Sequence, residues 1–503
     1  MKRLFTFLTI AIAALTVQAT DYTDKLLVVV NGKSSVQDAT ISVTKNGNLY
    51  DLNLKNFMLV SGTVKMPVGN VELKGIAPDK LGNKIFLSAK QNITVTEGDA
   101  AISSTWMGPS LGELPVDLTA VIEDGKLRAI IDLKVTLLNQ VVNVSFGESQ
   151  VTGYHIPNSG FEEWHASDEN NVEPNSWHSF ESGTGDYIET VIGLGTHIEM
   201  SENGINDSYC ARIFSTSIFG IVANGTMTTG RMNAGSMLAS DKANHAYLDM
   251  SKTDLDGNGD PFYVTLTHRP DSLVLWVNFK QGKANHDHPY ATVSAIITDG
   301  DYYQDPEDTD YKNYLAKAKN NTIKVTNGQW QRISIPFTYY RNNVEPKAIL
   351  VTISTNADAG QGSKGDEVLV DDLTLVYSSK LSSLNVSGFS PDKFEYDAEG
   401  SASFDNLVPN AQSREAYVIK TLEQRADGQY VVIKVYSADL RSNSTYTVKI
   451  SSNGSTSIIS VPTTTDASAD TYYNIDGTQT DGTQKGRVVI VRKADGSVKK
   501  VIR

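Results

Sequence analysis

Asp254, Asp256, Asn258 and Asp260 put oxygen-bearing side chains on alternate residues, with Gly259 at the sixth place of the run. That spacing lets a loop curl round one hard cation, as the first half of an EF-hand does. The twelfth place holds Thr265 instead of a bidentate glutamate, which excludes a standard EF-hand. A partial calcium loop and a solvated hairpin turn both stay open. Acids recur elsewhere: Glu162 and Glu163 precede Trp164, and Asp371 and Asp372 interrupt the apolar run 367–377. Successive strand residues point to opposite faces, so one member of each pair at most faces inward. Leu369, Asp371, Leu373 and Leu375 share one face; Val368, Val370, Asp372 and Val376 share the other. Both faces are apolar enough for a core, and the sequence does not choose between them. A carboxylate buried there needs a cation or hydrogen-bond donors. Glu162, Asp371 and Asp372 offer oxygen ligands, so structural calcium is the natural cation. Hydrogen bonding to strand ends is the plainer alternative.

Flat aromatic faces suit the C–H faces of sugars, with polar groups beside them to bond hydroxyls. The candidates are Trp164, Trp177, Tyr302, Tyr303, Tyr339 and Tyr340. Trp164 and Trp177 are also natural core residues. Tyr302 and Tyr303 lie in the polar stretch 299–306, which should be exposed, and make the better platform. His286 and His288 could be half of a metal site, but zinc wants three or four protein ligands and the partners are not visible. Cys210 stands alone, so the chain holds no internal disulfide, and its apolar surroundings read as a buried small side chain. There is no H-E-x-x-H, G-x-S-x-G, Walker loop or C-x-x-C. No catalytic residue is assigned.

The elements that must position these residues are strands. Residues 25–30, 41–44 and 121–122 are β-rich runs that end at or just before Asn31-Gly32, Asn46-Gly47 and Asp124-Gly125, the strongest short-range hairpin signals. Such hairpins over residues 20–150 suggest a small closed barrel, because closure removes sheet edges. Further β-runs at 211–214, 262–267, 273–279, 292–297, 330–337, 348–354 and 368–377 fit a two-sheet sandwich. One helix is expected after Asp310, with Tyr311, Tyr314, Leu315 and Ala318 on one face.

At 503 residues the chain has room for three or four domains, and 40% hydrophobic with 20% charged content is that of a folded protein. A net charge of −14 argues against nucleic acid and anionic membrane as partners. Lys2, Arg3, the apolar run 4–15 and the small-residue site at 17–19 read as a secretory signal, too short to span a bilayer. No transmembrane segment follows. The expected location is therefore exported: periplasm, outer-membrane surface or secreted.

Asn158, Gly160, Phe161, Glu162 and Trp164, paired with Asp371 and Asp372 in an apolar strand, resemble the opening and closing motifs of jelly-roll carbohydrate-binding modules. More closely they resemble the PCMD-type carbohydrate-metabolism domain of proteins exported by gut Gram-negative bacteria. Gly259 to Phe262, Arg269 to Leu273 and Gly328 to Arg332 carry the same resemblance. The hairpins of the first 150 residues look like a calycin-like β-barrel domain, whose relatives often hold small apolar ligands. The segments opening at Leu381 and closing at Ile450 look like a cadherin-like, Ig-type sandwich. The fold expected is all-β: signal 1–19, calycin-like barrel 20–150, jelly roll 151–378, small sandwich 379–461, and linker with a short β tail 462–503. The tail resembles a C-terminal sorting signal, although an ordinary hairpin fits equally. The function implied is non-catalytic binding of a poly- or oligosaccharide at the cell envelope, with structural calcium. One alternative is a glycan-degrading enzyme that uses carboxylates of the central domain; another is a structural or adhesive surface protein. A concave groove lined by exposed aromatics would separate the binding module from the spacer, which a convex, purely polar surface would favour.

Overall fold

The computed structural model describes residues 18–61, 64–169, 171–193, 197–205, 208–218, 220–452, 471–473, 479–480, 488–492 and 498–502. Residues 1–17 of the expected signal and the linker 462–469 lie outside these. Asn31 and Gly32 (φ 46° and 83°) and Asp124 and Gly125 (49° and 74°) adopt the positive φ that a two-residue hairpin turn demands. Turns of this kind fold the first part of the chain into a nine-stranded antiparallel sheet. Its first strand, Gln18–Val30, pairs with both Lys33–Asn46 and the last, Gln140–Phe146. A bridge between Asn70 and Thr96 joins the two flanks. Alternate residues such as Leu26, Val28, Leu52, Leu54, Leu118 and Ile131 fill the interior.

The central domain is a sandwich. One sheet runs Ile198–Ser201, Cys210–Phe214, Glu367–Val376, Ser272–Lys280, Gln331–Pro336. The facing sheet runs Thr226–Thr228, Ala348–Ser354, Ala291–Thr298, Tyr314–Ile323, Thr338–Tyr339, with Val264–Thr265 also paired to Ala348–Ser354. Between them lie Ala291, Val293, Ala295, Ile297, Ile349, Val351, Ile353, Val277 and Phe279, all fully buried. The period of two then sends Thr292, Ser294, Ile296, Thr352 and Ser354 to the outer face of the second sheet. There Ile296 and Leu350 pack under a small sheet of Arg231–Ala234, Asn244–Leu248 and Tyr303–Asp305, and the polar residues stay uncovered by it.

The helix expected after Asp310 does not form. Tyr314–Ile323 is a strand between Ala291–Thr298 and Thr338–Tyr339. Register shifts along this pairing turn Leu315, Ala316 and Ala318 all into the core, so tertiary pairing overrides the helical spacing.

A third, smaller sandwich follows, with Glu395–Asp397, Asn443–Ser452, Gly428–Tyr436 and Tyr417–Arg425 in its larger sheet. It packs against the outside of the barrel: Tyr436 stacks on Phe86 at 4.8 Å, beside Val121, Ile130 and Leu440. The barrel, the central sandwich and this domain belong to one compact unit. The remaining residues form a second unit, whose described strands Gln479–Thr480, Thr471–Tyr473, Val488–Arg492 and Val498–Ile502 pair in that order.

Candidate functional site

The opening turn and the twin-aspartate strand lie side by side. Asn158 and Phe161 take positive φ (47° and 54°), and the Leu373 N–H donates to Ser159 O at 2.9 Å. Opposite Leu275 the strand Glu367–Val376 carries a bulge, with Asp372 at φ 47°. Both registers are consequently used. Val368 and Val370 face the core before the bulge, and Leu373 and Leu375 face it afterwards. Asp371 is buried at 1% exposure, and Asp372 is exposed. Asp371 Oδ2 accepts from Ile205 N (2.7 Å) and Ser208 Oγ (3.2 Å), and Oδ1 from Asp372 N (2.7 Å). Burial, reinforced by the Asp372 charge and opposed by these donors, pushes Asp371 up to about 7. Glu162 accepts from Tyr209 N at 3.0 Å and is also raised, chiefly by burial. Cys210, fully enclosed beside them, is pushed up by burial to about 12, an inert packed thiol.

Of the aromatic residues chosen from the sequence, Trp177 and Tyr303 are enclosed. Trp177 is fully buried against Phe161 (5.2 Å), its Nε1 donating to Pro157 O at 3.2 Å. Trp164 lies half-buried against the same core, its Nε1 bonded to Phe161 O. Tyr303, at 1% exposure, belongs to the cluster under the small sheet. Trp177 and Tyr303 therefore offer no ring face to a ligand. Tyr302 stays open at 38% exposure, within reach of His245 (3.3 Å).

What the sequence did not reveal is a groove of about 310 Å³ on the outer face of the second sheet. Its floor is Thr292, Ser294, Lys319, Asn321, Thr352 and Ser354; Phe180, Tyr187, Val191, Ile221, Val222 and Met237 form its apolar sides. Ser294 Oγ and Asn224 Oδ1 are buried in its lining without a hydrogen-bond partner among the described residues. Among the described residues Asp305 is the one carboxylate lining it, tied to Lys319 at 2.9 Å. His245 also lines it, and burial holds this imidazole below its ordinary value, hence neutral near pH 7. The floor is the strand face whose outward residues are polar, a pattern of alternation that was in principle readable; its covering loops were not.

The acidic loop 254–260 turns away from the form of a calcium loop. Asp254 pairs with Arg231 at 2.5 Å. Asp256 Oδ1 accepts from Asn258 N (2.9 Å) and Asp260 N (2.8 Å), and a Leu255–Pro261 bridge closes the turn. Asn258 Nδ2 donates to Asp260 Oδ2 at 3.0 Å, spending the side chain inside the loop. Asp256 Oδ2 instead faces two histidines, His165 (3.5 Å) and His178 (3.3 Å). Burial raises the Asp256 carboxyl but His178 and the two N–H donors outweigh it, bringing it down to about 2. His288 pairs with Asp358 at 2.8 Å, and among the described residues neither it nor His286 joins a three-ligand group.

Residues 19–148 match the family model of the calycin-like beta-barrel domain, the same span as the nine-stranded sheet. A solved structure from Bacteroides thetaiotaomicron, described as "a putative glycoside hydrolase", is similar at 13% identity over 53% of this chain and 87% of that one, with a TM-score of 0.35. No curated protein matches the chain.

Proposed function

We propose that the chain is an exported, non-catalytic carbohydrate-binding protein of the cell envelope, taking a glycan along the groove of its central sandwich. The observation that carries this is the groove's make-up: a floor of hydroxyls and amides between apolar sides, with Ser294 Oγ and Asn224 Oδ1 left unpartnered. Buried polar atoms without partners are costly, and sugar hydroxyls would satisfy them. Phe180 and Tyr187 are the rings positioned to meet a sugar's C–H face. Hydrolysis by paired carboxylates needs two acids across the ligand. Among the described residues the groove lining supplies Asp305 alone, and it is engaged by Lys319, which favours binding over the glycan-degrading alternative.

Structural calcium at Glu162, Asp371 and Asp372 belongs to the same proposal. Its support is three carboxylates along one seam, all raised by burial, although among the described residues they do not close into a three-ligand group. A divalent cation would hold them ionised.

The test is a polysaccharide panel offered to the full chain, with Ser294→Val and Asn224→Ala alongside. Binding that weakens roughly 5–30-fold in each variant, the loss of about one hydrogen bond, with no reducing ends released, is the expected result. Failure to bind any glycan would sink the reading, and released reducing ends would replace it with the enzyme.

A further inference from the structure

The acidic loop meets the strand pair Trp164–Ala166 and Val172–Pro174, and the meeting point gathers nitrogen as well as oxygen. Among the described residues, His165, Asp256 and Asp260 bring one ligand atom each within 4.8 Å of one another. His178, on the far side of Asp256, is fully buried with neither ring nitrogen hydrogen-bonded. His165 Nε2 and Asp256 Oδ2 are buried and unsatisfied in the same way. Three such atoms, His165 Nε2, His178 Nε2 and Asp256 Oδ2, meeting without a hydrogen bond among the described residues are unusual in a folded interior.

The separations discriminate between an ion pair and a metal site. A charge-assisted N–H···O bond spans about 2.7–2.9 Å. Here Asp256 Oδ2 stands 3.5 Å from His165 Nε2 and 3.3 Å from His178 Nε2. Two ligands on one tetrahedral ion with bonds of about 2.0–2.1 Å are separated by about 3.3 Å. The supporting contacts also match. His165 Nδ1 lies 3.1 Å from Asn175 Oδ1, which fixes the proton there and leaves Nε2 with its lone pair free. Asp256 Oδ1 is held by two backbone N–H groups and Asp260 Oδ2 by Ser176 N at 2.8 Å, so each carboxylate is oriented and keeps an oxygen to give.

We propose that His165, Asp256 and Asp260 bind a divalent transition metal of the zinc class, with His178 bearing on Asp256 from its far side. An imidazole in the donor set favours such an ion over calcium, which takes oxygen ligands. Three protein ligands leave the fourth position of a tetrahedral ion to a water. The ion would staple the loop 254–260 to the strand Trp164–Ala166, and His178, which bears on the same Asp256, leads two residues on to Phe180 in the groove. The proposal does not depend on what the groove binds.

The experiment loads the full chain with Zn²⁺ or Co²⁺, removes free metal, and measures metal content, the visible spectrum of the cobalt form and the thermal midpoint with and without chelator. The expected result is one ion per chain, cobalt bands of tetrahedral intensity and a midpoint that falls on chelation. His165→Gln should lose the ion, and Asn175→Ala should weaken it roughly 10–100-fold through the freed imidazole. Asp254→Asn, whose carboxylate faces Arg231, should bind as the parent does. The proposal is overturned if the parent retains no ion, if His165→Gln binds equally well, or if Ca²⁺ displaces Zn²⁺ at equal concentration.

Discussion

Asp371 sets the most direct test at the level of a single residue. Its carboxyl is enclosed, receives three donors and is raised from 3.8 to about 7. Because the folded chain holds this proton more tightly than the unfolded one, the stabilisation is complete below pH 3.8 and is lost as pH rises through 7. The loss amounts to at most ~4 kcal/mol. In chelator, calorimetry should therefore give a thermal midpoint that declines from mildly acid to neutral pH. A calcium ion at the seam would favour the ionised form and flatten that slope, so added Ca²⁺ should raise the midpoint more at pH 7 than at pH 5. A calcium effect equal at both pH values would remove Asp371 from the ligand set.

At the level of elements, the bulge decides which side chains share a face. Asp372 sits at φ 47°, a conformation open to Gly and tolerated by Asp but costly for β-branched residues. Asp372→Gly should leave stability within about 1 kcal/mol of the parent in chelator, and Asp372→Val should lower it by ~1–2 kcal/mol more, measured by urea unfolding. Bulges are set by both partner strands, which is why the run 367–377 left its register open. Hairpins at Asn31-Gly32 and Asp124-Gly125 were legible because their positive φ is a local demand. The all-β class followed from such turns and from β-branched runs. The strand Tyr314–Ile323 was not legible, since Tyr311, Tyr314, Leu315 and Ala318 carry a helical spacing that only the neighbouring strands overrule. The same limit applies to sites. Asp256 and Asp260 could be picked out by spacing, but His178 lies about eighty and His165 about ninety residues earlier in sequence, and the seam of two segments brings them in.

At the level of the whole compact unit, one arginine ties three domains together. Arg128, on the outside of the barrel, donates to Tyr154 Oη at 2.6 Å in the link to the central sandwich and to Tyr417 Oη at 2.9 Å in the third domain. It also reaches Gln150 Oε1 and Ala438 O, both at 3.4 Å. None of these partners is a carboxylate, so the charge is held by neutral acceptors in a partly buried seam, where each bond to an ionised donor contributes about 1.5–3 kcal/mol. Tyr154 in turn stacks on His268 at 3.7 Å, and His268 pairs with Glu415 of the third domain at 3.0 Å, so the contacts form a closed circuit. Interfaces between domains are by default mobile unless large and apolar; this one adds the Phe86–Tyr436 stack to its polar circuit. Arg128→Ala should therefore separate what melts together: calorimetry of the parent should give one transition for the three domains, and the variant a split endotherm with faster proteolysis near residues 147–155. Arg128→Lys should rescue little, because an ammonium cannot span two phenols in the fixed fork of a guanidinium. A variant that still melts in one transition, merely shifted, would mean that the contacts left, among them the Phe86–Tyr436 stack and the bonds of Asp79 to Lys434 and Tyr436, join the barrel to the third domain without Arg128.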